Sequence, residues 1–131
     1  MKVYLSGGME SGWQALVKDR CDEIEYLDPS RHGLSNPREY TIWDLEHIKQ
    51  CDIVFAYMES TNPSGIGLTL EIGYAKALNK TIILVDEKSC VDSEFEKRFR
   101  IVRCSADIVF NTLEDGIEFL KSFSRNYFRR M

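Results

Sequence analysis

No stretch of this sequence approaches the roughly 20 consecutive apolar residues that cross a bilayer, so no membrane partner is expected. The opening Met1-Lys-Val-Tyr-Leu-Ser-Gly-Gly8 runs straight into a strand pattern and leaves no room for a charged leader with an apolar run behind it, which predicts a cytoplasmic protein. Histidine is scarce, with two in 131 residues, and the four cysteines Cys21, Cys51, Cys90 and Cys104 lie at wide, irregular spacings. There is neither a CxxC pair nor a neighbouring His pair, so the common zinc signatures are excluded, the thiols are expected reduced, and neither a metal nor a cofactor is expected. An excess of positive charge is lacking too. Lys and Arg number 17 against 21 Asp and Glu, a net charge of -4 with a pI near 5.2, which gives no general attraction to nucleic-acid polymers. Linkers and low-complexity segments are absent. Proline and glycine gather in three loops: Ser6-Gly7-Gly8, Asp28-Pro29 to Pro37, and Asn62-Pro63-Ser64-Gly65.

What is present is an ordinary globular balance, 44% hydrophobic and 29% charged, at a length suited to a single domain over residues 1–131. Short β-rich runs alternate with longer segments of helical period. The strands are expected at Val3–Ser6, Glu23–Leu27, Ile53–Met58, Thr81–Val85 and Asp107–Phe110. Helical spacing links Trp13, Leu16, Val17 and Cys21, then Ile42, Leu45 and Ile48, then Leu68 to Leu78, then Phe95, Phe99 and Val102, and last Leu113 to Phe123. Thr112 and Asp115 have the spacing of a capping pair at the start of the last helix. The alternation predicts an α/β fold: a three-layer, doubly wound, five-stranded parallel sheet of flavodoxin or Rossmann-like form. Two segments echo each other, Cys51-Asp-Ile-Val-Phe and Ala106-Asp-Ile-Val-Phe, each with Asp just before an apolar strand. The echo reads as recurring helix-to-strand chemistry.

In such a sheet ligands bind beyond the carboxyl ends of the strands, where all three Gly- or Pro-rich loops lie. From Ser60 to Ala75 the only charged residue is Glu71. With a helix starting near Gly67 or Leu68, Glu71 falls in about its first turn and shares a face with Leu68, Ile72 and Ala75, which aims a carboxylate into an apolar setting. A first-turn Glu that merely favours the helix dipole, worth ~0.3–1 kcal/mol, explains the position equally well. Asp44 stands three residues after Thr41, the spacing of a capping box, and helix initiation alone accounts for it. Tyr4, between apolar neighbours in a strand, reads as core or sheet surface.

The run Ser64-Gly-Ile-Gly-Leu-Thr-Leu-Glu71-Ile-Gly-Tyr-Ala-Lys-Ala-Leu78, followed by Lys80 and Ile82-Ile-Leu-Val85, resembles the signature of the nucleoside 2-deoxyribosyltransferase family. Val3-Tyr4-Leu5-Ser6-Gly7-Gly8 is similar to that family's first strand and loop, and Trp43-Asp44-Leu45 with Ile48 and Asp52 to its Asp-bearing helix and next strand. The likeness runs from Val3 to about Val85. It implies that Glu71 attacks the anomeric carbon and forms a glycosyl-enzyme that a second base or water resolves with retained configuration. It further implies that Asp44 handles the nucleobase proton, a task worth roughly 10²–10⁴ in rate, and that Tyr4 orients the nucleophile. The positive end of the helix and the Tyr hydroxyl are expected to keep Glu71 ionised, with Asp44 holding the proton.

Ser6, Gly7, Gly8, Ser64 and Gly65, with Gly67 of the same run, are the substrate-binding candidates, because glycine-bearing loops at helix N-termini let amides approach a hydroxymethyl group or 5′-phosphate. Simple tight turns explain each of them as well. One extra residue between Pro63 and Glu71, relative to the related nucleotide hydrolases, weakens a phosphate role for Ser64. His32 and His47 lack partners at ligand spacing, and His47 is expected on a helix surface. Asp52 is expected to bond backbone, Asn62 and Asn111 to shape turns, and Lys97, Arg98, Arg100 and Arg103 to form a solvated helix face. The expected activity is exchange of the base of a 2′-deoxynucleoside. The alternatives are hydrolysis of deoxynucleosides or their 5′-monophosphates, and a non-catalytic nucleotide-binding module. The partners are then a small nucleoside or nucleotide and a free nucleobase. The resemblance also suggests a homo-oligomer in which a neighbouring subunit completes each pocket, with Ser124–Met131 as a contributor.

Overall fold

The computed structural model describes residues 1–127. Phe128–Met131, the end of the segment expected to reach a neighbouring subunit, lie outside the described residues. Five strands form one parallel sheet: β1 Lys2–Gly7, β2 Glu25–Leu27, β3 Ile53–Met58, β4 Thr81–Asp86 and β5 Ile108–Phe110, in the order β2-β1-β3-β4-β5. This is the doubly wound order expected, with its direction of winding reversing between β1 and β3. The loops leaving those two strands, with Gly8 on one and Thr61 and Asn62 on the other, line a pocket at their carboxyl ends.

The helices are α1 Trp13–Arg20, α2 Pro37–Gln50, α3 Ile66–Ala77, the single turn α4 Lys88–Val91, α5 Ser93–Ser105 and α6 Leu113–Asn126. Two cores form because successive strand residues point to opposite faces. Val3, Leu5, Ile53, Phe55, Ile83 and Val85 meet Trp13 and Val17 of α1 and Ile117 and Leu120 of α6. On the other face Tyr4, Val54, Ala56, Ile82 and Leu84 meet Ile48, Leu68, Ile72, Phe99 and Val102, from α2, α3 and α5. At full burial each such side chain contributes about 1.5–3 kcal/mol, and this, more than local propensity, holds the helices on the sheet.

The echoed Asp residues do the same work twice. Asp52 Oδ2 accepts from the Lys2 amide at 2.7 Å, and Asp107 Oδ2 from the Ile82 amide at 2.7 Å, while each Asp amide donates back to the Lys2 or Ile82 carbonyl. Each pair satisfies backbone groups where a strand begins beside its neighbour. Thr112 Oγ1 accepts from the Asp115 amide at 3.2 Å and caps α6 as expected. The expected cap at Thr41 is corrected. Helix α2 begins at Pro37, capped by the Asn36 side chain on the Arg38 and Glu39 amides, because Pro is well suited to the first helical position. Asp44 therefore lies inside the helix and its burial is not explained by capping. Leu16, grouped with the apolar face of α1, is 45% exposed. No helix among the described residues is long and apolar enough to cross a membrane.

Candidate active site

Tyr4 and Ser6 are two residues apart on β1, so both project toward the face covered by α3. There they meet Glu71. Tyr4 Oη donates to Glu71 Oε2 at 2.6 Å and Ser6 Oγ donates to Glu71 Oε1 at 2.7 Å. Both distances are those of charge-assisted O–H···O bonds. Tyr4 and Ser6 are wholly buried and Glu71 is 9% exposed. Glu71 shares its helix face with Leu68, Ile72 and Ala75, as its spacing predicts. Helix α3 starts at Ile66, however, which places Glu71 in the second turn. The helix dipole fades within the first turn, so two side-chain hydroxyls take over the stabilisation expected from the helix terminus.

Burial outweighs them. It pushes Glu71 up to about 7, against the pull of the Tyr4 and Ser6 hydroxyls and with a further push from the adjoining Asp44 carboxyl. Burial, then the Glu71 carboxylate, drive the Tyr4 phenol far above its ordinary value, so it remains a donor. Asp44 is also raised by burial, opposed first by His32 and then by its contact with Glu71. Because the two carboxyls adjoin, the protonation of each acts on the other.

The surroundings of Asp44 contain two residues set aside in the sequence. His32 Nε2 lies 3.5 Å from Asp44 Oδ1, and the His32 ring meets Trp43 edge-on at 4.8 Å. His47 is half-buried rather than on an open helix surface, because it stacks on Trp43 at 3.7 Å, with Nδ1 2.7 Å from the Trp43 carbonyl. His32 is brought to Asp44 by the turn Pro29–Arg31. Asp28, lowered because its Lys18 and Ser30 partners outweigh its burial, accepts from the Ser30 amide and hydroxyl at 2.9 and 2.6 Å and so builds that turn. Nothing in the spacing of His32 signals this contact; the Asp-Pro pair after β2 signals only a turn. A pocket of about 330 Å³ opens here, lined by Met9, Pro29, His32, Leu34, Tyr40 and Asp44 among others. That volume is in the range of small-molecule sites.

The substrate-binding candidates divide. Ser6 does not face the cleft with its hydroxyl, which is committed to Glu71. Gly7 is required by packing, since a Cβ there would lie 2.6 Å from the Tyr57 carbonyl oxygen. Gly8 borders a second pocket of about 400 Å³ with Met9, Glu10, Thr61 and Asn62. The Ser64 and Gly65 amides both donate to Asn62 Oδ1 at 3.1 Å, the turn role expected for Asn62. Gly65 takes the left-handed conformation, φ 70°, with Met58 Sδ 2.7 Å from where its Cβ would be. Gly67 lies exposed in the first turn of α3 and touches none of these groups. The basic cluster of α5 is largely paired: Lys97 with Glu94, Arg100 with Glu96, and Arg103 with the fully buried Asp86.

A profile described as "Nucleoside 2-deoxyribosyltransferase like" matches residues 1–89, about two thirds of the chain and all of the elements that carry Tyr4, Asp44 and Glu71. The chain belongs to this family. The fold of this deoxyribosyltransferase-like protein is found again in solved structures. A CMP N-glycosidase of Clostridium botulinum is 22% identical, with a TM-score of 0.63 over 93% of this chain and 99% of that one. A conserved protein of Enterococcus faecalis V583 is 16% identical, with a TM-score of 0.64 over 93% and 98%. A 2-deoxyribosyltransferase from Leishmania mexicana is 15% identical, with a TM-score of 0.61 over 92% and 97%. At such identities the likeness is one of fold. No curated protein sequence matches the chain.

Proposed function

We propose that this deoxyribosyltransferase-like protein cleaves the N-glycosidic bond of 2′-deoxynucleosides and passes the sugar to a second nucleobase through a covalent intermediate on Glu71. The observation that carries the reading is the setting of Glu71, a buried carboxyl with one hydroxyl on each oxygen and a second acid beside it. Tyr4 and Ser6 hold the carboxylate in one orientation, which lowers the entropic cost of attack on C1′.

Asp44 supplies the proton that lets the base depart. Near neutral pH a substantial share of Glu71 carries a proton, since burial raises it to about 7. As the base ring nitrogen meets Asp44, that proton passes across the contact to Asp44 and on to the base, and Glu71 is left ionised. Glu71 Oε then forms a bond to C1′ as the C1′–N bond breaks, and its electron pair leaves with the protonated base. An incoming base reverses these steps. The pocket at His32 and Tyr40 receives the base, and Gly8, at the border between strand and loop, lies on the sugar side. Exposed Ile66 and Leu70 on α3 and Ile42 on α2, 76%, 57% and 70% exposed, supply an apolar surface suited to a second copy of the chain.

Hydrolysis, with water in place of the second base, is favoured by one observation, the likeness of fold to a CMP N-glycosidase. Intact-mass analysis after addition of a deoxynucleoside without acceptor tests both. A deoxyribose-sized adduct mapping to Glu71 is expected, and a different free base added later should yield the swapped nucleoside. Sugar release that ignores the added base marks the hydrolase. Absence of both adduct and base release defeats the catalytic reading.

A further inference from the structure

Asp44 has a buried oxygen, Oδ1, that makes no hydrogen bond of normal length among the described residues. Leaving such an oxygen unsatisfied costs about 1–3 kcal/mol, more when it is charged, so its orientation needs a cause. His32 faces that oxygen. The Leu34 amide donates to His32 Nδ1 at 2.9 Å, which makes Nδ1 the acceptor and leaves the hydrogen of the neutral ring on Nε2. That Nε2 is the atom 3.5 Å from Asp44 Oδ1. The separation exceeds a standard N–H···O bond, as catalytic contacts in unliganded sites commonly do before they tighten on substrate.

The ring is held on several sides. Trp43 meets it edge-on and is itself backed by His47. The Asp28-capped turn fixes the backbone before it, with the Lys18 ammonium against Asp28 at 2.5 Å. The groups acting on Asp44 are Glu71 from α3, Tyr4 from β1, His32 from the loop after β2 and His47 from its own helix.

We propose that His32 is a positioning residue for Asp44: its Nε2–H holds Asp44 Oδ1, so that the other oxygen is the one that takes and delivers the proton. The proposal rests on the glycosidic reading of Glu71 and Asp44 given above. Its physical content is the division of labour between two adjacent carboxyls. Left alone, such a pair shares its proton internally, and each oxygen is as good a carrier as the next. A fixed donor on Oδ1 lowers the proton affinity of Asp44 and leaves Oδ2 to pass the proton from Glu71 to the base. The clamp makes or breaks no covalent bond.

His32→Ala and His32→Gln test this, since Gln offers a neutral N–H donor of similar reach. With a deoxynucleoside, His32→Ala is expected to lower kcat by about 10–100-fold, more than the loss of one wall of the base pocket raises KM, and to move the alkaline limb of the pH profile upward. His32→Gln should recover most of both. In protein carrying ¹³C-labelled Asp, the Asp44 carboxyl should titrate higher in His32→Ala, and ¹⁵N shifts of the wild-type ring should report hydrogen on Nε2. Unchanged kcat, an unmoved Asp44 titration or a hydrogen on Nδ1 would each overturn the clamp. If wild-type protein releases no base while the Asp44 titration still responds to His32, the clamp stands and the glycosidic reading falls.

Discussion

Replacing Glu71 with Gln should stabilise this protein at neutral and alkaline pH while leaving acid stability unchanged. Burial raises Glu71 from 4.5 to about 7, and at about 1.36 kcal/mol per unit the ionised form destabilises the fold by roughly 3 kcal/mol. A carboxyl raised in the folded state binds its proton more tightly there than in the unfolded chain. Its contribution is therefore fully present below about pH 4.5, shrinks as pH climbs toward 7, and stays lost above it. Gln keeps the oxygen that accepts a hydroxyl and cannot ionise. The gap in unfolding free energy between variant and wild type should thus be near zero at about pH 4 and open to roughly 2–3 kcal/mol by about pH 8, several degrees in Tm for a domain of this size. Urea unfolding followed by circular dichroism at four or five pH values reads the gap directly. Other carboxyls titrate alike in both proteins and cancel, apart from Asp44, whose coupling to Glu71 belongs to the same effect. A gap that is constant with pH, or that closes as pH rises, would refute the claim that Glu71 is a buried, proton-holding acid.

Tyr4→Phe removes one of the two hydroxyls on Glu71 and raises its proton affinity further, so the alkaline limb of kcat/KM should move to higher pH, while loss of the orienting bond should lower turnover near pH 7 by roughly 10²-fold, measured by base release. Because the Ser64 and Gly65 amides are occupied by Asn62 and Glu10 borders that pocket, a 5′-monophosphate should bring no advantage over the free nucleoside. Competition between deoxycytidine and its 5′-monophosphate checks this, and a clear preference for the monophosphate would contradict it. Gly116→Ala should destabilise by about 1–3 kcal/mol in thermal or urea unfolding, although Ala is the better helix former. The added Cβ would lie 2.3 Å from Val85 Cγ2 and 3.3 Å from Phe55 Cζ, where α6 packs on the sheet.

The fold was legible in the chain because it depends on local and repeating features. Period-2 apolar runs and 3.6-period helices alternate, and their alternation admits few topologies. The two Asp-led strands and the Thr112 cap were readable for the same reason, since each interaction is made by a residue with nearby backbone. Glu71 stood out as the only charge in a sixteen-residue stretch, and its helix face followed from its spacing. The alternation that sends Tyr4 toward α3 also sends Ser6 there, so the second hydroxyl on Glu71 was within reach of sequence reasoning, though Ser6 was assigned to substrate.

What only the tertiary structure decided is which distant groups meet. His32 comes to Asp44 because Asp28 folds the turn that precedes it. The Ser64 and Gly65 amides are taken up by the Asn62 side chain. Glu71 owes its raised proton affinity to walls contributed by β1, α2 and α3 together. Periodicity is a property of neighbours along the chain and survives in the sequence alone. Desolvation and pairing depend on separations of a few ångströms between residues dozens of positions apart, and those distances exist only once the sheet has closed its two cores.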